Sequence, residues 1–193
     1  YVQHDVIDSA GLHDLFAGAD GVVHFGSYPT TAWSSWTATF HNVAVGGFNV
    51  FQTCANLGIK RIAWASSMEV YGYPLKLPHL PLTEEYPLMP PDIYGGAKVA
   101  LESVSRSIAV EMAHFGIRCN IIQAGVTDTP ALRIIPGSGH LKAQARTRNP
   151  FKRLTTPEDV ANVIYLLSRS EAAWINGTII RVDGGEAVSG LSR

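Results

Sequence analysis

Cysteine is scarce in this sequence, with Cys54 and Cys119 as the only two among 193 residues. Two cysteines cannot form a disulfide framework and these lack the spacing of metal ligands, so a reducing, cytoplasmic setting is expected. Charge is also sparse: 16% of residues are charged and the formal net charge is -1. Because the 15 basic residues are scattered, the sequence argues against nucleic acid or an anionic membrane as a partner.

Long apolar runs are missing as well, and none approaches the roughly 18 residues that a membrane helix needs. The first six residues, Tyr-Val-Gln-His-Asp-Val, lack the basic-then-apolar pattern of a signal peptide. What the chain does have is apolar content, at 46% of residues. That content suffices for one buried core, so we expect a single domain over residues 1–193.

Apolar periodicity alternates between strand-like and helix-like along the chain, which is typical of an α/β fold with parallel strands. Strands are predicted at residues 1–6, 21–25, 61–66, 117–122 and 178–182. Helices are predicted from residue 8 or 9, at 38–57, at 93–114, and from a Thr156 cap. Two further stretches are predicted as an irregular surface loop, residues 72–93, and a mobile flap, residues 128–150.

Tyr94 and Lys98 lie four residues apart on one predicted helix, so their side chains share a face. A phenol has an ordinary pKa of about 10, and a nearby ammonium group lowers it by about 1–3 units. The pair could therefore exchange a proton with a substrate oxygen. Ser66 and Ser67 end a predicted parallel strand, where α/β sheets bind ligands, and a hydroxyl there can hold a carbonyl oxygen.

Ser-Ser at a strand end, a long loop and Tyr-x-x-x-Lys at a helix start together resemble the short-chain dehydrogenase/reductase superfamily. Residues 1–98 resemble its extended epimerase and dehydratase branch, as in the stretch 66–72, Ser-Ser-Met-Glu-Val-Tyr-Gly. Residues 99–185 resemble its compact reductase branch, as in the stretch 116–120, Gly-Ile-Arg-Cys-Asn. The resemblance implies a Rossmann-like, doubly wound parallel sheet in three layers.

The resemblance also implies roles for particular residues. Ser67 would orient the substrate oxygen, Tyr94 would be the acid/base, and Lys98 would lower the Tyr94 pKa and hold the nicotinamide ribose of NAD or NADP. The further cofactor-binding residues that it implies are Asp5, Val6, Phe25, Gly26, Ser27, Gly125, Val126, Thr127 and Thr129. Relatives of the compact branch assemble into homodimers or homotetramers, and we expect the same here.

The sequence departs from the family pattern in several places. The helical asparagine is expected at position 43, which is Val43, and Asn42 is one place off. Ala124 stands where the family usually has proline. The first strand–helix units, with their glycine-rich phosphate turn, are absent. We therefore expect an N-terminally incomplete domain, with either a gap or residues 1–6 paired directly beside residues 21–25.

Three functions stay open at this point. About half of the chain follows Tyr94, which favours an NAD(P)-dependent oxidoreductase acting on a small carbonyl or alcohol. The front half instead suggests a nucleotide-sugar epimerase or dehydratase, in which Glu69 matches a catalytic carboxylate of some dehydratases. The third possibility is a scaffold without cofactor. His24, on a buried strand, is expected to be a packed core histidine and not a metal ligand.

Overall fold

A computed structural model describes residues 1–28, 34–72 and 86–189 of the chain. Its four strands are β1 (Val22–His24), β2 (Arg61–Ala65), β3 (Arg118–Ala124) and β4 (Ile179–Val182). Its helices are α1 (Ser9–Phe16), α2 (Trp36–Phe40), α3 (Gly46–Leu57), α4 (Ile93–Glu111), α5 (Pro130–Arg133), α6 (Ser138–Arg148) and α7 (Pro157–Ser168). None of these described helices is both long and apolar enough to cross a membrane.

The strands form one parallel sheet in the order β1-β2-β3-β4. Helices cover both faces, because alternate residues of each strand point to opposite sides. Ile62 and Trp64 of β2 join the core beneath α1, α3 and α4, whereas Ala63 joins the core beneath α7. The α/β fold class and its doubly wound, three-layer sheet are thereby confirmed.

The predicted apolar stripe of the central helix is confirmed in α4. Ala97 and Leu101 are fully buried, and Val104, Ile108 and Met112 pack against the larger core. Close packing against α3 depends on a glycine: a Cβ on Gly47 would lie 2.5 Å from Cδ2 of Leu101. Both cysteines are free and buried in the same core.

Residues 1–6 do not form the predicted strand, and they do not pair with β1. The chain instead turns locally, because the Asp5 carboxylate accepts the N–H of Ile7 at 3.0 Å. The side-chain amide of Asn49 donates to the carbonyls of Val6 and Ile7, both at 3.1 Å. These bonds occupy backbone groups that a strand would need for its ladder, and Val6 contributes to the core from an irregular segment.

The stretch 128–150 is helical where a flap was predicted. Thr129 caps α5 and Pro130 occupies its first turn, while Gly137 adopts a left-handed conformation (φ 81°) just before α6. The prolines and glycines thus mark helix ends here. Of the predicted loop at 72–93, residues 73–85 lie outside the described part of the chain, and residues 86–92 form no helix or strand.

The last helix begins with the predicted capping box. The Thr156 hydroxyl accepts the N–H of Asp159 at 3.3 Å, and the Asp159 carboxylate accepts the N–H of Thr156 at 2.8 Å. Arg153 donates to the same carboxylate. This cap fixes the entry of α7, which forms one wall of a large cleft above the sheet.

Thr156→Ala should lower the free energy of unfolding by about 1 kcal/mol, because it removes the acceptor at the helix start. Urea denaturation followed by circular dichroism measures the change. Thr147→Ala is the matched control, since the Thr147 hydroxyl donates to a helix carbonyl within α6 and caps nothing. Equal losses for the two variants would contradict the capping role.

Candidate functional site

A cleft of about 740 Å³ opens at the carboxyl ends of the strands, where parallel sheets place their ligands. Ala65 and Ser66 at the end of β2 form part of its floor, and Ala124 at the end of β3 continues it. Tyr94 and Lys98 enter from α4 on one side, and α7 lies on the other. The cleft thus brings a phenol and an amine to an otherwise largely apolar space.

Tyr94 occupies the first turn of α4, whose start is capped by Asp92 through a 2.9 Å bond from the N–H of Gly95. The phenol is buried, at 9% exposure. Burial raises its pKa to about 12, and the nearby carboxylates of Glu69 and Asp92 raise it as well. A hydrogen bond with the Ser67 hydroxyl acts in the opposite direction on this pKa. Tyr94 is therefore a protonated phenol in this structure.

Lys98 follows one turn later and is more deeply buried, at 4% exposure. Its Nζ donates to the carbonyl of Ala65 at 2.7 Å and to the hydroxyl of Ser27 at 3.3 Å. It lies 5.7 Å from the ring centroid of Tyr94 and 5.6 Å from that of Trp64. Burial lowers its pKa from 10.5 to about 8, against the opposing charge of Glu102.

The net shift of the Tyr94 pKa is opposite to the one expected from Lys98, because burial of the phenol raises it. Nζ of Lys98 itself bonds to the Ala65 carbonyl and the Ser27 hydroxyl. Loss of water around the phenol outweighs any stabilisation of the phenolate.

The two serines after β2 point in different directions. Ser66 donates a short hydrogen bond to the buried carboxylate of Glu102, and its backbone N–H bonds to the carbonyl of Ile122. Ser67 caps the short 3₁₀ turn Met68–Tyr71, accepting the N–H of Glu69 at 3.2 Å, and its hydroxyl reaches Tyr94. Ser67 is thus the serine with a hydroxyl beside the phenol, although Ser66 is the one that lines the cleft.

Glu69 is a partly buried carboxyl close to Tyr94. Burial raises its pKa to about 7, and the like charge of Asp92 contributes further. This carboxyl therefore changes protonation near neutral pH, which suits a general acid or base.

The predicted cofactor residues fall into two groups. Phe25, Ser27, Tyr94, Lys98, Thr127 and Thr129 line the cleft. The others are not among the residues that line the cleft. Asp5 and Val6 precede α1. Val126 donates its N–H to Glu186, and a Cβ on Gly125 would lie 2.5 Å from the Thr155 hydroxyl. Gly26 lies in the same loop as Phe25, and a Cβ there would approach the His24 ring at 3.8 Å.

His24 is buried, whereas Asn42 is half-buried and bonds to the backbone of a neighbouring loop. His24 is buried, and burial together with the charge of Lys98 lowers its pKa to about 4, so it is neutral. The Asn42 side-chain oxygen accepts the N–H of Tyr28 at 2.7 Å, while Val43 packs in the small cluster that contains Tyr94. Within the described residues, no three potential metal ligands come together.

Sequence reasoning missed Glu102, which is completely buried one turn after Lys98. The available signal was spacing: Lys98, Glu102 and Arg106 recur every four residues, so three charges of alternating sign follow one helix face. Because Glu102 adjoins the apolar stripe at Leu101, this face was bound to lie partly inside the protein.

Two family models match the chain. One, described as enoyl-(acyl carrier protein) reductase, covers residues 82–186, and the other, the NAD dependent epimerase/dehydratase family, covers residues 1–127. Among curated proteins, 2,3-dihydro-2,3-dihydroxybenzoate dehydrogenase of Escherichia coli is 28% identical over 184 residues, 91% of this chain and 70% of that protein. Cis-4-hydroxycyclohexanecarboxylate dehydrogenase of Sinomonas cyclohexanicum is 38% identical over 92 residues.

The chain spans only part of these relatives: the 92 residues matched to the Sinomonas protein are 48% of this chain and 36% of that one. Among solved structures, enoyl-[acyl-carrier-protein] reductase (NADH) from Aquifex aeolicus has a TM-score of 0.75 at 23% identity, covering 97% of this chain and 76% of that one. A Burkholderia cenocepacia gluconate 5-dehydrogenase, solved with NADP and tartrate, has 0.72 at 20% identity, covering 95% and 73%.

Glu69 should make stability depend on pH. Its pKa is raised from 4.5 to about 7 in the folded protein, so its contribution is fully present below pH 4.5 and is lost as pH rises through 7. Glu69→Gln should remove that loss, leaving the variant more stable than the parent at pH 8 by about 1–2 kcal/mol after allowance for solvent screening. Urea denaturation across pH 4–8 measures it.

The matched control is Glu111→Gln, because Glu111 is exposed near the end of α4. That variant should keep the decline between pH 4.5 and 7. The interpretation of Glu69 fails when Glu69→Gln retains the same slope as the parent.

Proposed function

Since the chain belongs to the short-chain dehydrogenase/reductase superfamily, we propose that it transfers a hydride between NAD or NADP and a small carbonyl or alcohol substrate. The observation that carries this proposal is the convergence of Tyr94 and Lys98 on an apolar cleft at the carboxyl ends of β2 and β3. The curated relatives named as dehydrogenases support the same reaction class.

The residues around Lys98 fit a nicotinamide ribose. The cleft is roomy and mostly apolar, as a nicotinamide ring requires, and Lys98 Nζ and the Ser27 hydroxyl offer polar groups to the ribose hydroxyls. Thr127 and Thr129 line the same space and would contact the nicotinamide side. The bound cofactor would supply or accept the hydride, which no side chain can do.

The protein's own contribution is proton transfer and orientation. In the reducing direction, the Ser67 hydroxyl would hold the substrate carbonyl oxygen while Tyr94 donates its proton to that oxygen. The raised pKa of Tyr94 supports this role as the acid, since the phenol is protonated over the whole neutral range. In the oxidising direction, the phenol must first lose its proton, and the Lys98 ammonium would stabilise the phenolate once a ligand has displaced water.

Asp5, Val6, Gly26, Gly125 and Val126 stay predictions as cofactor contacts, and a homodimer or homotetramer, a cytoplasmic location and a single domain over residues 1–193 stay predictions too.

A nucleotide-sugar epimerase or dehydratase is a second candidate, and Glu69 is the observation that favours it. A carboxyl with a pKa of about 7 beside the phenol could remove or return a proton on a sugar carbon. The epimerase/dehydratase family model also extends over residues 1–127, which include Glu69. Turnover of nucleotide-sugars that is lost in Glu69→Gln would favour this candidate, and turnover of simple ketones would favour the first.

Tyr94→Phe should reduce turnover by roughly 10²–10⁴-fold, because the phenyl ring fills the same space without a transferable proton. The fold should persist, and NADH or NADPH should still raise the melting temperature of the variant. Steady-state turnover and thermal shift, measured side by side, test both statements. Tyr1→Phe, at a fully exposed phenol, is the control.

Retained turnover in Tyr94→Phe would remove Tyr94 from its proposed role. Absence of stabilisation of the parent protein by both NADH and NADPH would favour the cofactor-free scaffold instead.

A further inference from the structure

Glu102 is a buried carboxylate that the proposed chemistry does not use. Its side chain is 1% exposed, one turn beyond Lys98 on α4. One carboxylate oxygen accepts the hydroxyl of Ser66. The other, Oε2, lies 3.7 Å from Nη1 of Arg106, within ion-pair range.

A carboxylate is rarely buried without compensating charge, because removal from water strongly disfavours its ionised form. Burial raises the pKa of Glu102, and Ser66, Arg106 and Lys98 all act to lower it again. Arg106 is about half exposed, so its interaction is screened by solvent. Lys98, which is buried one turn earlier on the same helix, is a second positive charge that acts on Glu102.

Lys98 needs a counter-charge in the same way. Its hydrogen-bond acceptors, the Ala65 carbonyl and the Ser27 hydroxyl, are both neutral. The titratable groups that face it are His24 from β1 and Tyr94 and Glu102 from its own helix. His24 and Tyr94 are neutral at pH 7, so Glu102 is the anion that favours the ammonium form.

We infer that Glu102 is a positioning residue for the Tyr94–Lys98 site: it keeps Lys98 charged and holds the Ser66 hydroxyl turned away from Ser67. The inference rests on the proposed function for its catalytic consequence. The ammonium form of Lys98 would strengthen a hydrogen bond to a ribose hydroxyl and would stabilise a phenolate at Tyr94, so loss of the Glu102 charge should weaken both at neutral and higher pH.

The direct test is to titrate Lys98 in the cofactor-free protein and to monitor the titration by NMR of ¹³Cε-labelled lysine. The Lys98 signal is identified as the one that disappears in Lys98→Arg. Glu102→Gln keeps the size of the side chain and an acceptor for Ser66 but removes the charge. It should lower the pKa of Lys98 by about 1 unit. Glu111→Gln changes the net charge equally at the far end of α4, about 20 Å along the helix, and should leave the Lys98 titration in place.

Activity gives a second readout. The basic limb of the pH profile of kcat is the range in which kcat falls as pH rises. In Glu102→Gln this limb should move to lower pH, because Lys98 loses its proton at a lower pH than in the parent. Glu102→Asp restores the negative charge and should return the limb towards that of the parent. A purely structural role would lower activity evenly across pH, without moving the limb and without rescue by aspartate.

The coupling is reciprocal, which protects the test against a Glu102→Gln variant that does not fold. Lys98→Met should raise the pKa of Glu102, followed through its ¹³Cδ signal. The inference is overturned when a folded Glu102→Gln leaves the Lys98 titration unchanged, or when Lys98→Met leaves that of Glu102 unchanged. A parent protein that turns over no substrate contradicts the proposed function alone, since both titrations are measured without cofactor.

Discussion

The hydrogen bond from Lys98 Nζ to the Ala65 carbonyl ties α4 to the end of β2, and the site is organised around it. Ala65 is the last residue of β2, where the sheet ladder ends and the carbonyl needs another donor. By supplying that donor from α4, the chain fixes the height of Tyr94 above the strand ends. Ser27, in the loop after β1, bonds to the same ammonium group, so three segments distant in sequence meet at one nitrogen.

This arrangement places charge where the protein is least able to solvate it. Lys98 lies near the rings of Trp64 and Tyr94 and donates to neutral oxygens. Burial shifts four pKa values in the direction that favours the neutral form of each group: it raises those of Tyr94, Glu69 and Glu102 and lowers that of Lys98. Clusters of this kind are more frequent at functional sites than in ordinary cores, because stability alone would favour apolar side chains there.

The parallel sheet and the placement of Tyr94 and Lys98 could be predicted from sequence, because both depend on local periodicity: buried strands, and a four-residue spacing on one helix. The conformation of residues 1–6 could not be predicted, since a short segment with valines at positions 2 and 6 resembles a strand until the bonds from Asn49 are known. The pKa of Tyr94 was also out of reach. Spacing places an amine near the phenol, but only the tertiary structure shows Nζ directed at Ala65 and the phenol stripped of water.

The helix between β1 and β2 contains a π-helical turn over His41–Val45, and this turn bears on the displaced asparagine. Such a turn accommodates one residue more than an α-helical turn, so every position before it is shifted by one in the sequence relative to an uninterrupted helix. Asn42 stands four residues before Gly46 where three were expected, which is the offset that one inserted residue produces. The π-helical turn therefore gives Asn42 and Gly46, four residues apart, about the angular relation that residues three apart have in an α-helix.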